Sequence, residues 1–117
     1  MTHPVLTAAR IEDSVLALRP DYRALLIAIT GVRGGPGDEA SDAALRRAEE
    51  SVRARLDGAA PESLPEIAAW REAFLGFGVK PRAARSSVEA LIRRIDGGLP
   101  RINRLTDLYN AVSVEHL

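Results

Sequence analysis

Apolar residues recur at helical spacing along much of the chain. The clearest case lies between residues 38 and 56, where one stripe is apolar and charged residues fill most other positions. That stripe consists of Leu45, Ala48, Val52 and Leu56. The pattern predicts a long amphipathic helix here, and a shorter stripe predicts a second helix over residues 11–18.

Capping signals mark the starts of three more helices. Residues 63–66 (SLPE) and 86–89 (SSVE) both match the pattern of a serine cap with a glutamate three residues later. Asn103 can cap a last helix, because its side-chain oxygen can accept a bond from a first-turn N–H group. The apolar residues expected to face inward from these helices are Ile67, Trp70, Phe74, Val88, Leu91, Ile92, Ile95, Leu105, Leu108 and Val112.

One segment favours a strand. Residues 23–32 (RALLIAITGV) are short, carry β-branched residues and reach a glycine, although a helix is the alternative there. The sequence therefore predicts an α+β, helix-rich fold in a single domain over residues 1–117. A lone strand leaves its backbone groups unpaired, which is costly when they are buried. Residues 5–8 and 112–114 are weak partners, so we expect a second copy, a partner chain or a downstream segment to complete the sheet.

Composition narrows the class of protein. The chain has 117 residues, with 46% hydrophobic and 27% charged, which is typical of a globular domain. There is no cysteine, which excludes disulfides and thiolate chemistry. The N-terminus lacks a signal-peptide pattern, and the longest apolar run is too short to span a bilayer. We expect a cytoplasmic protein with no membrane partner.

Positive charge is concentrated in one stretch although the formal net charge is zero. Residues 80–104 carry seven basic and two acidic residues, whereas residues 38–72 carry five basic and nine acidic ones. A patch of this kind favours phosphate contacts, and a solvated helix face is the alternative. The residues predicted to contact phosphate are Lys80, Arg82, Arg85, Arg93 and Arg94.

Three sequence motifs are more specific than the composition and the charge pattern. They are WREAF followed by FGVKP at residues 70–81, RSSVEALIRR at residues 85–94, and LPRIN followed by DLYN at residues 99–110. In order and spacing they resemble the tRNA-binding editing domain of the phenylalanyl-tRNA synthetase beta subunit and its freestanding relatives. The resemblance is strong from Trp70 onward and weak over residues 11–32.

The resemblance implies an α+β domain that binds the 3′ end of tRNA. It thereby makes tRNA the expected phosphate ligand of the five basic residues Lys80, Arg82, Arg85, Arg93 and Arg94. In the synthetase, that domain hydrolyses the ester bond of tRNA wrongly charged with tyrosine. The resemblance also implies strands and loops beyond Asn110 that complete the pocket, so we expect this chain to carry only the leading part of such a domain.

The resemblance places Asn110 in the editing pocket, where an amide can both donate and accept hydrogen bonds. Asp107 lies on the same helical face, and Asn103 precedes the helix; we take all three as candidate substrate-binding residues. The alternatives are a helix cap for Asn103, an acid near the helix N-terminus for Asp107, and a surface or capping amide for Asn110. No catalytic side chain is assigned, because water would be the nucleophile.

Two functional hypotheses follow. The first is an RNA-binding module for translation quality control, with aminoacyl-tRNA deacylase activity if the rest of the site is supplied. The second is a non-catalytic structural or protein-interaction module, or a reduced relative of the editing domain. Neither hypothesis requires a cofactor. His3 and His116 lack partners at metal-ligand spacing, so we expect no metal site.

Overall fold

A computed structural model describes residues 2–117, and these residues are 57% helical. The six α-helices of this part of the chain are α1 (Pro4–Ala8), α2 (Asp13–Leu18), α3 (Glu39–Leu56), α4 (Pro65–Gly76), α5 (Ser87–Ile92) and α6 (Arg104–His116). Short 3-10 turns lie at Pro61–Ser63 and Ile95–Gly97. No helix within residues 2–117 combines the length and the apolar character needed to cross a membrane.

The predicted α+β fold is wrong, since residues 2–117 contain no β-strand and the fold is all-helical. Residues 22–30, which hold most of the predicted strand, form neither a helix nor a turn. Both weak partners named for it are helical, because residues 5–8 lie in α1 and residues 112–114 lie in α6. A β-strand is defined by its backbone hydrogen bonds to a neighbouring strand. This run has the composition of a strand but lacks those hydrogen bonds.

The chain divides into two compact units, one ending at Arg33 and one spanning Gly34–Leu117. In the first unit, α1 begins at the N-cap His3, whose Nδ1 accepts a hydrogen bond from the Val5 N–H at 3.3 Å. Neither α1 nor α2 contains a fully buried residue. The prediction of a single domain over residues 1–117 stays a prediction.

The second unit is organised by α3, which packs against α6. Asp38 and Ser41 form a reciprocal cap at its start: the Asp38 carboxylate accepts from the Ser41 N–H at 2.8 Å, and the Ser41 Oγ accepts from the Asp38 N–H at 2.9 Å. The predicted apolar stripe of α3 is confirmed as buried. The core of this unit consists of Ala44, Leu45, Ala48, Val52, Leu56, Leu64, Ile67, Val88, Ile92, Ile95, Leu99, Ala111 and Val114.

The predicted caps had mixed outcomes. Ser86 caps α5 and Asn103 caps α6, with Asn103 accepting from the Thr106 N–H at 2.9 Å. The cap predicted at Ser63 is wrong, because Ser63 lies in the 3-10 turn and α4 begins after Leu64, which makes no side-chain cap bond. Leu64 is instead buried in the core, so packing fixes this helix start where a side-chain hydrogen bond was expected.

The inward faces of two helices also differ from the prediction. In α4 only Ile67 is buried, and Trp70 remains 41% exposed. In α6 the buried residues are Asp107, Ala111 and Val114. The apolar residues predicted to face inward from α6, which are Leu105, Leu108 and Val112, are exposed. This helix carries two apolar stripes, and the narrower one, with its smaller side chains, packs against α3.

Candidate functional site

The most elaborate polar arrangement in the second unit surrounds Glu89. Its side chain is 1% exposed, although it belongs to the first turn of α5. Arg71 of α4 donates from Nη2 to its Oε1 at 2.6 Å and from Nε at 3.1 Å. Arg93 donates to the same oxygen at 3.0 and 3.1 Å. A carboxylate buried to this extent needs such charged donors, because burial without them costs several kcal/mol.

The cluster continues outward through Glu62. Arg93 donates to Glu62 at 2.8 Å, and Arg71 lies 3.8 Å from the same carboxylate. Arg85 approaches Glu89 at 3.9 Å. The hydrogen bonds from Arg71 hold the pKa of Glu89 below its ordinary value of 4.5, against the opposing effect of burial, and Arg93 lowers it further. The cluster therefore holds the start of α5 against α4 and the 3-10 turn at Pro61–Ser63.

This arrangement separates the five predicted tRNA-binding residues into two groups. Arg93 and Arg85 face the buried carboxylate of Glu89, so their charge is wholly or partly balanced inside the protein. Lys80, Arg82 and Arg94 are exposed, and none of them forms an ion pair within residues 2–117. Their positive charge remains directed at solvent.

Aromatic side chains lie beside the loop that carries two of these cations. Trp70 and Phe74 meet edge-to-face with ring centroids 6.4 Å apart, and Phe74 and Phe77 are 6.5 Å apart. Trp70 and Phe77 are 41% and 46% exposed. The Val79 N–H donates to the Phe74 carbonyl at 2.9 Å, which folds the chain back at the end of α4.

A narrow hollow joins these aromatic rings to the loop. Its lining residues are Trp70, Arg71, Phe74, Pro81, Ala84, Arg85, Ser86 and Glu89. Pro81, Ala84 and Arg85 of the loop therefore lie beside Trp70 and Phe74 of α4. We give the name cationic–aromatic surface to these two rings together with the loop of residues 78–85. Exposed rings and cations side by side suit contacts to nucleotide bases and phosphates.

The three predicted substrate-binding residues do not have equivalent surroundings. The Asn103 side chain is used as the cap of α6. Asp107 is 1% exposed, and its Oδ1 accepts from the Ile102 N–H at 2.8 Å. Its Oδ2 lies so close to Gly37 that a β-carbon added at Gly37 would stand 3.1 Å from it. Asn110 is half-buried, one turn further along α6.

A second polar cluster joins α3 to the segment before α6. Glu49 is buried and accepts from the Leu99 N–H at 3.2 Å. Arg101 donates to Glu49 and, at 3.0 Å, to Asp42. Arg53 donates to the Ile95 carbonyl at 2.7 Å. These contacts hold a stretch of irregular chain, so we assign them to folding.

Sequence reasoning missed Arg71 and Glu49 as parts of polar clusters. Glu89 was explained by its place in a capping pattern, yet its carboxylate binds arginines and does not return to the Ser86 N–H. The spacing of Glu89 and Arg93, four residues apart on one helix, was a signal for their ion pair. No comparable local signal links Arg71 to Glu89 or Glu49 to Arg101.

Within residues 2–117, no three His, Asp or Glu side chains come together in a way that could hold a metal ion. Comparison of the chain with models of protein families, with curated proteins and with solved structures finds no match in any of the three.

Proposed function

We propose that the unit Gly34–Leu117 is an RNA-binding module that contacts RNA through the cationic–aromatic surface. The observation that carries this proposal is that the loop bearing two exposed cations lies beside aromatic rings of α4. Lys80 and Arg82 have no ion pair within the described chain, while Trp70 and Phe77 expose nearly half of their side chains. Cations contact phosphates and aromatic faces stack on unpaired bases.

Transfer RNA is the RNA that we propose. The basis is the resemblance of residues 70–110 to the synthetase editing domain, whose substrate is the 3′ end of tRNA. That end is single-stranded, so its bases are free to stack on aromatic side chains. Proteins that bind a duplex commonly insert a basic helix or loop into a groove, and the cationic–aromatic surface has no long basic element of this kind. This favours a single-stranded target.

Binding of a labelled tRNA followed by fluorescence anisotropy over a series of salt concentrations tests the proposal. Lys80→Ala and Arg82→Ala should each weaken binding and reduce the slope of log K against log salt by about 1. Arg47→Ala is the matched control, because Arg47 is exposed on α3 and forms no ion pair within residues 2–117. Equal losses in all three variants, or no binding at low salt, would contradict the proposal.

Hydrolysis of a mischarged aminoacyl ester is the further activity that the resemblance implies. Asn110 is the side chain proposed to hold the ester or the attacking water, since Asn103 and Asp107 already serve α6. A deacylation assay with tRNA mischarged with tyrosine tests this. Asn110→Ala should slow release of the amino acid while leaving tRNA affinity unchanged. Unchanged release in that variant would remove Asn110 from the site.

The second hypothesis, a protein-interaction module, is favoured by the outer face of α6. Its exposed apolar residues are Leu105, Leu108, Tyr109 and Val112. They recur at helical spacing, and such a stripe can pack against the same stripe of a second copy. Sedimentation velocity over a range of concentrations tests this, with association expected for the native chain and lost in Leu108→Lys. A native chain that stays monomeric would contradict it.

A further inference from the structure

Arg85 belongs both to the charged cluster around Glu89 and to the cationic–aromatic surface. Its Nε lies 3.9 Å from Glu89 Oε1, and its side chain lines the hollow beside Trp70 and Phe74. The hollow offers about 10 Å³ to solvent, which is roughly the space of one water molecule and too little for a nucleotide base. A ligand at this place therefore lies over the hollow, against the exposed parts of Arg85 and Trp70.

The hydrogen bonds of the Glu89 carboxylate are supplied by two other arginines. Its Oε1 accepts from Arg71 at 2.6 and 3.1 Å and from Arg93 at 3.0 and 3.1 Å, and its Oε2 accepts from Arg71 at 3.2 Å. Arg85 stands too far away for a hydrogen bond. Glu89 thus attracts the Arg85 guanidinium by charge, while the N–H groups of Arg85 keep their capacity to donate to another acceptor.

The charges of this cluster do not cancel. Three arginines (Arg71, Arg85 and Arg93) share two carboxylates (Glu62 and Glu89), so one positive charge is in excess. The side chain of Arg85 is 47% exposed, against 25% for Arg71 and 30% for Arg93. The excess charge therefore reaches solvent chiefly at Arg85, beside an aromatic ring that is 41% exposed.

We propose that Arg85 and Trp70 form a subsite for one unpaired nucleotide, with its phosphate on the Arg85 guanidinium and its base on the Trp70 ring. The inference rests on the proposed RNA-binding function and names the residues that position the RNA. A guanidinium presents two parallel N–H donors that match two phosphate oxygens. Because Glu89 already restrains this guanidinium, binding orders it at a smaller entropic cost. Lys80 and Arg82, which form no ion pair within the described residues, add attraction by charge.

The fluorescence of Trp70 reports on this subsite directly, because the chain contains a single tryptophan. A short single-stranded oligoadenylate added to the full chain at low salt should quench it as a base stacks on the ring. An abasic oligomer of the same length carries the same phosphates and no bases. It should leave the fluorescence unchanged and bind roughly tenfold more weakly, since stacking on an aromatic ring is lost.

A charge-preserving variant separates the guanidinium from its charge. Arg85→Lys keeps the positive charge and loses the parallel donors, so the oligoadenylate should bind roughly tenfold more weakly. The slope of log K against log salt should stay the same, because the number of cations is unchanged. Arg47→Lys, at an exposed arginine of α3, is the matched control and should retain the native affinity. Circular dichroism checks that both variants keep their helices.

Two results would overturn the subsite alone. Native affinity in Arg85→Lys would remove the role of the guanidinium. Equal quenching or equal affinity with the abasic oligomer, measured on the native chain, would remove the role of stacking on Trp70. Either result leaves salt-dependent binding of RNA through Lys80 and Arg82 in place. Failure of the native chain to bind any oligomer at low salt would overturn the RNA-binding proposal together with the subsite.

Discussion

Arg71 on α4 and Glu89 on α5 are joined by an ion pair whose closest atoms are 2.6 Å apart, and the carboxylate is almost fully shielded from water. The two residues are 18 positions apart in the chain. Together with Arg93 and Glu62 they fix the corner between α4 and α5. That corner lies directly behind the cationic–aromatic surface, because Arg71 and Glu89 line the hollow beside Trp70.

Removing the buried carboxylate should therefore be costly. Glu89→Ala leaves Arg71 and Arg93 facing each other without their shared acceptor, and we expect a loss of about 3 kcal/mol in the free energy of unfolding. Arg94→Ala is the control, an exposed cation with no ion pair in the described chain, and should change stability by less than about 0.5 kcal/mol. Urea denaturation measures both. Similar values for the two variants would show that the cluster adds little to folding.

The same cluster should make the protein sensitive to acid. The pKa of Glu89 is lowered in the folded protein, mainly by the hydrogen bonds from Arg71, so the unfolded chain binds the proton more readily. The stabilisation is complete above the ordinary value of 4.5 and is lost as the pH falls below it towards the folded pKa. Glu62 and Glu66, whose pKa values are also lowered, should act in the same direction.

Denaturation curves collected from neutral pH down through this range check the acid effect. Glu89→Gln should have a shallower loss of stability on acidification than the native chain. Glu50→Gln, at an exposed glutamate without an ion pair in residues 2–117, should match the native slope. Parallel slopes for the native protein and the Glu89 variant would exclude Glu89 as a source of the acid sensitivity.

Asp107 offers a way to separate folding from substrate binding. Asp107→Ala removes the acceptor of the Ile102 N–H and should cost about 1–3 kcal/mol of stability. Asp107→Asn keeps an acceptor oxygen and should cost less. Measured where both variants are fully folded, the tRNA affinity of each should equal that of the native chain. A specific loss of affinity in folded Asp107→Asn would restore Asp107 as a substrate contact.

Hydrogen exchange should reveal protection outside the helices. The N–H groups of Leu99 and Ile102 are bonded to the side chains of Glu49 and Asp107, so both should exchange slowly although neither lies in a helix. Glu49→Ala should accelerate exchange at Leu99 and leave Ile102 protected. Asp107→Ala should have the opposite pattern. Fast exchange at both sites in the native chain would contradict the contacts to these carboxylates.

Features that depend on a few consecutive residues could be predicted from the sequence. The stripe of α3 follows from periodicity, and the caps at Ser86 and Asn103 follow from side chains that bond to the backbone three residues on. The α6 interface could not be predicted in the same way. Its sequence contains a large apolar stripe and a smaller one, and only the shape of α3 decides which of them is buried.

The predicted strand is wrong for a different reason, and long-range contacts also bear on the predicted cation patch. Residues 23–32 have the composition of a strand, but pairing depends on a neighbour that no local pattern supplies. The predicted role of Arg93 depends on Glu62, which is 31 positions away and competes for its charge. In the structure Lys80, Arg82 and Arg94 are exposed, and no ion pair within the described residues involves them. Whether they contact tRNA stays a prediction.

The pairing of α3 with α6 has a consequence for synthesis on the ribosome. The stripe of α3 is complete once Leu56 is made, yet its main partner begins only at Arg104. Until then Leu45 and Val52 lack their main partner helix, and most of the stability of a helix in a protein comes from the packing of its apolar face. The second unit should thus acquire its core in a late, concerted step, with a nascent chain that exposes apolar surface for most of its elongation.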